Sequence, residues 1–296
     1  MKAARTIRLR VQYDGTGLYG FQRQRDPSKL TVQALLEDAG RRLLGHPVAM
    51  VGAGRTDAGV HAVGQVVHFR TPSTIPAERI PQALNHRLPP AVRVVEAQEA
   101  DPSFHARRDA TSRIYCYHIL QHALPSALLG RFTLWWPGAL DLTAMSQLAA
   151  RLVGRHRFGA FGSPTRPGGS TSRTLYACRV DEEPLAGGRL VRICFEADAF
   201  LYRMVRRLVG AMLAVASGRL EVDDVVDLLD EPREARVSER AAGGRPVAQA
   251  VSPAGLVLVH VHYGPPPAGL DGCGRILDTL AGLWLEWPRG LAGHDG

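Results

Sequence analysis

The order of strand and helix patterns in the first third of the chain constrains its fold most. From Thr6 to Tyr13 apolar and polar residues alternate, which is the period of a half-buried strand. After Thr31 apolar residues recur at helical spacing until Gly45, so Thr31 is predicted to cap a helix that Gly45 ends. Further patterns predict a strand over 48–51, a strand over 65–69, a helix over 77–88 and a strand over 92–95. This order is typical of the split βαβ arrangement, in which helices cover one face of an antiparallel sheet.

The second half of the chain repeats the theme. The same kinds of pattern predict strands over 112–120, 172–180, 190–197 and 256–261, and helices over 142–152 and 222–229. A longer helix is predicted to end at Gly218, with one buried stripe and one arginine face. The stripe consists of Leu201, Met204, Val205, Leu208, Val209 and Met212, and the arginine face of Arg203, Arg206 and Arg207.

Together these patterns predict an α+β fold. Two split-βαβ, ferredoxin-like halves would share a central, mostly antiparallel sheet with helices packed on it, and an active-site cleft would lie between the halves. The predicted units are 1–107, 108–264 and a tail over 265–296. The tail either docks a short helix or stays loose, and its apolar residues include Leu283, Trp284, Leu285 and Trp287.

Charge favours a polyanionic partner. The chain has 36 Lys and Arg against 28 Asp and Glu, a formal net charge of +8, which suits nucleic acid or a membrane surface. No apolar run reaches the length of a bilayer span and the first residues form no apolar signal core, so a cytoplasmic location is expected. The cysteines stand far apart without a Cys-x-x-Cys pair, which predicts reduced thiols and no structural zinc. They are Cys116, Cys178, Cys194 and Cys273.

The most informative motif is the glycine-rich stretch Gly52–His61, which reads Gly-Ala-Gly-Arg-Thr-Asp-Ala-Gly-Val-His between two predicted strands. An aspartate in such a stretch is most often a turn former. A phosphate loop is a second interpretation, although the Gly-Lys-Ser/Thr ending is missing. Arg55 favours a third, because a guanidinium near the Asp57 carboxylate would keep it ionised and oriented. Such a carboxylate can act as a nucleophile or a base.

At this motif the chain resembles the bacterial tRNA pseudouridine synthase A family, in which the aspartate of Gly-Arg-Thr-Asp-Ala-Gly-Val-His is catalytic. Further blocks resemble the family in the same order, so the resemblance extends to about Tyr263. These blocks are Tyr13–Gly15 with Gly20–Gln24, Leu84-Asn85 with Leu88-Pro89, Phe104–Arg107, Arg113–Tyr117, Gly154–Phe161, Ser172–Thr174, Ala199–Arg206 and Gly255-Leu256.

The resemblance implies that the chain isomerises uridine to pseudouridine in the anticodon stem-loop of tRNA, at uridines 38, 39 and 40. Asp57 would attack C1′ or remove the 2′ proton, and Arg55 and Arg206 would flank its carboxylate. Tyr115 would lie against the uracil ring and help to remove the C5 proton. Neither a metal nor an organic cofactor is implied, since the reaction changes no oxidation state. A homodimer is implied as well.

Substrate binding is expected from a wider set of residues. It consists of Arg23, Gln24, His61, Gln65, Arg107, Arg173, Phe200, Arg203 and Leu256, with Arg25, Arg108 and Arg166 as further candidate phosphate contacts. Two interpretations from other classes stay open. The basic halves could form a catalytically silent module that binds or folds tRNA, or the glycine-rich stretch could bind a nucleotide. Without the resemblance, Tyr115 would be a core residue and Arg206 a solvated one.

Overall fold

The strands of both halves join into one sheet. The computed structural model describes residues 4–229, 249–265 and 270. Its strands are β1 (Arg5–Tyr13), β2 (Val51–Gly52), β3 (His61–Thr71), β4 (Val92–Ala100), β5 (Ala110–His122), β6 (Leu134–Trp136), β7 (Gly154–Arg157), β8 (Ser172–Leu185), β9 (Gly188–Ala197) and β10 (Leu256–Tyr263). The helices are α1 (Val32–Leu44), α2 (Ile80–Asn85), α3 (Leu142–Leu152), α4 (Met204–Ala216) and α5 (Val222–Val226), with 3-10 turns at Ala77–Arg79 and Pro253–Gly255. Within these ranges no helix is long and apolar enough to cross a bilayer.

The sheet runs in the order β4-β1-β3-β10-β5-β9-β8-β7, with β2 beside β3 and β6 beside β5. Pairing is antiparallel except between β5 and β6 and between β3 and β10, where Val257 and Leu258 lie opposite His61 and Ala62. The β3–β10 contact joins the two halves at the centre of the sheet. The predicted α+β fold with a shared, mostly antiparallel sheet is confirmed. The division after residue 107 falls between β4 and β5 and stays a prediction.

The helices bury their apolar sides against one face of this sheet in a continuous core that spans both halves. Helix α1 shows why the sequence folds this way locally. The Thr31 hydroxyl accepts a hydrogen bond from the Ala34 amide at 3.3 Å, and Gly45 ends the helix with a φ of 74°. Both predicted helix ends are confirmed. Burial of Val32 and Leu36 then anchors the helix on the core.

The predicted strand over 48–51 is wrong, because only Val51–Gly52 pairs with β3. Side chains of α1 replace the missing strand pairing. The Gln33 amide donates to the Met50 carbonyl at 3.0 Å, and the Glu37 carboxylate accepts from the Met50 amide at 3.1 Å. These contacts satisfy the hydrogen-bonding groups of the Met50 backbone without strand pairing.

The long predicted helices are shorter in the structure. The one over 77–88 begins as a 3-10 turn and ends at Asn85, whose side chain instead bonds the Val94 amide at 2.8 Å and carbonyl at 2.9 Å. Helix α4 begins only at Met204, because Arg203 has a left-handed φ of 62°. Arg203 therefore does not share a helix face with Arg206. The tail and its proposed helix lie outside the described residues, apart from residues 265 and 270.

The expectation of reduced thiols is wrong for two of the cysteines. Cys116 on β5 and Cys194 on β9 are directly opposite each other, and their sulfur atoms form a disulfide. The sequence conceals this pair, because 78 residues separate two positions that only strand pairing brings together. Cys178 is free, and burial raises the pKa of its thiol. Cys273 lies outside the described residues.

Candidate active site

The loop over residues 53–60, here called the aspartate loop, is held at its base by a buried polar network. The Gln65 side chain on β3 donates to the Gly54 carbonyl at 3.0 Å and to the Tyr13 hydroxyl at 3.3 Å. The same hydroxyl lies 2.9 Å from that of Thr56, the residue before Asp57. Because buried polar groups lose much when left unpaired, this network fixes the path of the loop.

The turn after β1 packs directly against the aspartate loop. A Cβ atom at Gly15 would lie 2.2 Å from the Val60 carbonyl oxygen, so only glycine fits there. The Phe21 amide donates to the Thr56 carbonyl at 3.1 Å. These contacts hold the turn after β1 against the aspartate loop.

Asp57 and Arg206 form the central ion pair of the site. Arg206 Nη1 lies 3.0 Å from Asp57 Oδ2, and the two side chains are 12% and 20% exposed. The Arg206 Nε donates to the Val251 carbonyl at 2.7 Å, which fixes the guanidinium plane. The carboxylate is thus oriented but still open to the cavity.

Tyr115 on β5 lies beside the aspartate loop and is 7% exposed. Its hydroxyl would be 3.6 Å from a Cβ at Gly54, and its ring meets that of Phe200 edge-on at 5.1 Å. Burial raises the pKa of Tyr115 above its ordinary value of 10, and the nearby Tyr13 and Asp57 raise it further. The phenol is therefore protonated at neutral pH.

Arg113 is a site residue that sequence reasoning missed, although it begins one of the family-like blocks. Its buried guanidinium donates to the carbonyls of Ala53 at 3.1 Å, Arg107 at 2.8 Å and Asp198 at 2.7 Å. These acceptors come from both halves of the chain. Arg113 thereby ties the start of the aspartate loop to β5 and to the segment after β9.

These elements enclose a cavity of about 870 Å³, large enough for a nucleotide. Among the described residues that line it, Asp57 is the one carboxylate and six residues are arginines. The predicted site residues that line it are Asp57, Arg55, Tyr115, Arg206, Arg23, Gln24, Arg107, Phe200, Arg203 and Leu256. The described residues contain no group of three His, Cys, Asp or Glu side chains placed to hold a metal.

Three predicted substrate-binding residues do not reach the cavity. His61 and Gln65 are 0% exposed and are engaged in loop-holding contacts. Arg173 instead donates to the Ser170 carbonyl at 3.0 Å. The expectation of direct substrate contact is corrected for His61 and Gln65, because a motif shows which residues belong to a site but not which of them face it. For Arg173, which is partly exposed, substrate contact stays a prediction.

Arg55 lines the cavity but does not pair with Asp57. Among the described side chains, the ion pair of Asp57 is with Arg206, and the expected second guanidinium on this carboxylate is absent. Arg55 is exposed, and partial burial together with nearby Arg107 and Arg166 lowers its pKa. Arg107, which also lines the cavity, and Arg166, which does not, therefore both lie near Arg55, an arrangement that favours phosphate binding.

A second polar contact holds the other end of the aspartate loop. His61 Nδ1 lies 3.2 Å from Asp14 Oδ1 and 3.0 Å from the Gly15 amide, so this nitrogen donates to the carboxylate when it carries a hydrogen and accepts from the backbone amide when it does not. Arg131, from the second half, lies 3.1 Å from the other Asp14 oxygen. Burial alone would raise the pKa of Asp14, but hydrogen bonds from His61 and Thr16 outweigh it and lower the pKa from 3.8 to about 2.

We expect Asp14→Asn to lower the free energy of unfolding by about 1 to 2 kcal/mol at pH 6. Because the folded-state pKa is depressed, this contribution is complete above pH 3.8 and is lost as the pH falls toward 2. Urea unfolding of both proteins at several pH values should show their difference shrinking on acidification. The control Asp223→Asn, in an exposed pair with Arg151, should change stability by less than about 0.5 kcal/mol. A difference between Asp14→Asn and wild type that is constant with pH would contradict the assignment.

Comparison with known proteins identifies the family of the chain. A family model described as tRNA pseudouridine synthase matches residues 10–109 and 148–264. A tRNA pseudouridine synthase A from Paramagnetospirillum magneticum is 42% identical over 257 residues, which cover 86% of this chain and 94% of that protein. Another from Acetivibrio thermocellus is 37% identical over 259 residues, covering 88% of this chain and 100% of that protein. A third, from Frankia casuarinae, is 42% identical over 264 residues, with coverage of 88% and 90%. The chain therefore belongs to the tRNA pseudouridine synthase A family.

Proposed function

We propose that this protein isomerises uridine to pseudouridine at positions 38, 39 and 40 of the tRNA anticodon stem-loop, with Asp57 as the catalytic nucleophile or base. One observation carries the proposal. The single carboxylate among the described cavity residues is ion-paired to Arg206 at 3.0 Å and stands beside Tyr115 in a cavity with six arginines. Family membership gives the reaction type, and this arrangement supports the residue roles.

The reaction breaks the bond between N1 and C1′ and forms one between C5 and C1′. The proton leaves C5 and a proton ends on N1, so no atom or electron is gained or lost. Asp57 can start this by attacking C1′ or by removing the 2′ proton. Arg206 holds the carboxylate in place for either route. Tyr115 is assigned to contact with the uracil ring, since burial disfavours the proton loss that it would need before acting as a base at C5.

The cationic cavity supports binding of an extruded nucleotide. Removing a base from its stack costs a few kcal/mol, and contacts to phosphate and to an aromatic side chain can offset that cost. Arg55 and Arg107 are the lining residues assigned to phosphate, because Arg55 does not pair with Asp57 and both Arg107 and Arg166 add positive charge near it. Arg23 is less free, since Glu37 binds its Nε at 2.8 Å.

A homodimer and a cytoplasmic location are also proposed, on the strength of the family resemblance. Light scattering of the purified protein would measure its mass in solution. Twice the chain mass of 32.1 kDa is the expected result.

The deciding experiment is incubation of unmodified tRNA transcripts with the purified protein, followed by carbodiimide-based mapping of pseudouridine. We expect product at positions 38, 39 and 40 wherever these are uridine. Transcripts with cytidine at those positions are the matched control and should remain unmodified. Binding without any modification would favour the rival, a non-catalytic module that binds or folds tRNA. Tight binding of a nucleoside triphosphate would instead favour the phosphate-loop interpretation.

A further inference from the structure

Two tyrosine rings stand open at the cavity. Tyr19 and Tyr202 are each 48% exposed, and both line the cavity that holds Asp57. The other strongly exposed large apolar side chains in the described part of the chain, among them Trp135 at 40%, do not line this cavity. Leaving an aromatic ring in water has no benefit for folding. Exposed aromatic rings within a cationic opening are the feature by which proteins stack unpaired bases of RNA.

The two rings come from different halves of the chain, and the backbone of each is held. The Tyr19 amide donates to the Leu30 carbonyl at 2.8 Å, and the Gln24 side chain donates to the Tyr19 carbonyl at 2.9 Å. Tyr202 pairs with Ser163 as an isolated bridge, with its amide 2.9 Å from the Ser163 carbonyl. The backbone from which each ring projects is therefore held in place before any ligand arrives.

Backbone strain points to the same place. Arg203, next to Tyr202, is the one non-glycine residue with positive φ in the described ranges. A left-handed conformation costs an ordinary residue about 1 kcal/mol or more, and such residues cluster at ligand sites. The Arg203 guanidinium lies 4.9 Å from the centre of the Tyr202 ring, and the Lys29 amine 5.9 Å from that of Tyr19. Each ring thus has a cation beside it that can also meet phosphate.

We propose that Tyr19 and Tyr202 stack the two nucleobases that flank the target uridine. This rests on the proposed function, in which the target base itself reaches Tyr115. Tyr115 is almost fully buried, whereas Tyr19 and Tyr202 are half exposed, so the neighbours of an extruded nucleotide meet the open rings. With one ring in each half of the chain, each ring is assigned a different neighbour of the target. Stacking tolerates any base, which suits an enzyme that acts at successive positions.

The test is a coupling experiment between protein and RNA. Stem-loop RNAs carry an abasic nucleotide directly 5′ or directly 3′ of a single target uridine. Tyr202→Ala and Tyr19→Ala should each raise KM about 10-fold, with kcat changed less than about twofold. Tyr202→Phe should retain wild-type KM, because the ring and not the hydroxyl stacks. Trp135→Ala, which removes an exposed ring away from the cavity, is the matched control and should have no effect.

The abasic RNAs decide the assignment. One of the two abasic RNAs should bind wild type about 10-fold more weakly than the intact RNA does, but should bind Tyr202→Ala as well as the intact RNA does. The other abasic RNA should show the same pattern with Tyr19→Ala. The proposal would be overturned if the losses of binding from the abasic nucleotide and from the alanine substitution multiplied for every combination. It would also be overturned if Tyr202→Phe did not retain the wild-type KM. Dissociation constants from fluorescence anisotropy give the same coupling without turnover. If wild type binds the RNA with this coupling but forms no pseudouridine, the proposed reaction fails while the stacking assignment stands.

Discussion

Asp57→Asn is expected to lower kcat by about ten-thousand-fold or more, while tRNA affinity changes less than about threefold. Asparagine has almost the same shape and keeps an oxygen toward Arg206 at the position that now lies 3.0 Å from Nη1. A neutral amide, however, can neither attack C1′ nor remove the 2′ proton. The variant therefore removes the chemistry and leaves the cavity and its arginines in place.

Single-turnover mapping of pseudouridine, with tRNA binding measured alongside, checks this expectation. Asp223→Asn is the control, because its ion pair with Arg151 is exposed and lies outside the cavity. Circular dichroism should show that both variants are folded. Unchanged modification by Asp57→Asn would remove Asp57 from the mechanism. Loss of binding to the same extent as turnover would instead make it a structural residue of the RNA site.

Local features of the fold could be predicted from the sequence because they depend on neighbouring residues. Thr31 and Gly45 bound α1 as expected, since a cap and a left-handed terminus are set by the residue itself. The strand over 48–51 could not be predicted correctly. Its hydrogen bonds go to Gln33 and Glu37, and no pattern within the segment reveals that side chains of a helix replace the ladder.

The residues of the site likewise fall into those that the sequence could predict and those that it could not. The resemblance selected Asp57 and Arg206, which are 149 residues apart and meet only in the folded chain. It did not separate residues that face the cavity from residues that support it, and His61 and Gln65 prove to be of the second kind. Arg113 was missed for a related reason. An arginine that binds carbonyl oxygens from three separate segments, two of them at least 60 residues away, leaves no sequence pattern.

Arg206→Met is expected to lower kcat about 100- to 1000-fold with KM changed less than about threefold. Methionine matches the length of the aliphatic chain but offers neither the contact to Asp57 nor that to Val251. The partly buried carboxylate would then lose its one described ion-pair partner and its fixed orientation. The kcat of Arg206→Lys should lie between those of wild type and Arg206→Met, because a single amine cannot make both contacts in the geometry of the guanidinium.

Arg207→Met is the matched control for this variant, since Arg207 is the next residue of α4 and does not line the cavity. Its kcat should stay within about threefold of wild type. Steady-state kinetics on one tRNA transcript, with binding measured separately, distinguishes the roles open to Arg206. A residue that orients Asp57 affects turnover alone, because the substrate does not depend on it for binding. A residue that contacts phosphate affects both equally, and its loss also reduces the salt dependence of binding, so equal losses with a smaller salt slope would overturn the positioning role.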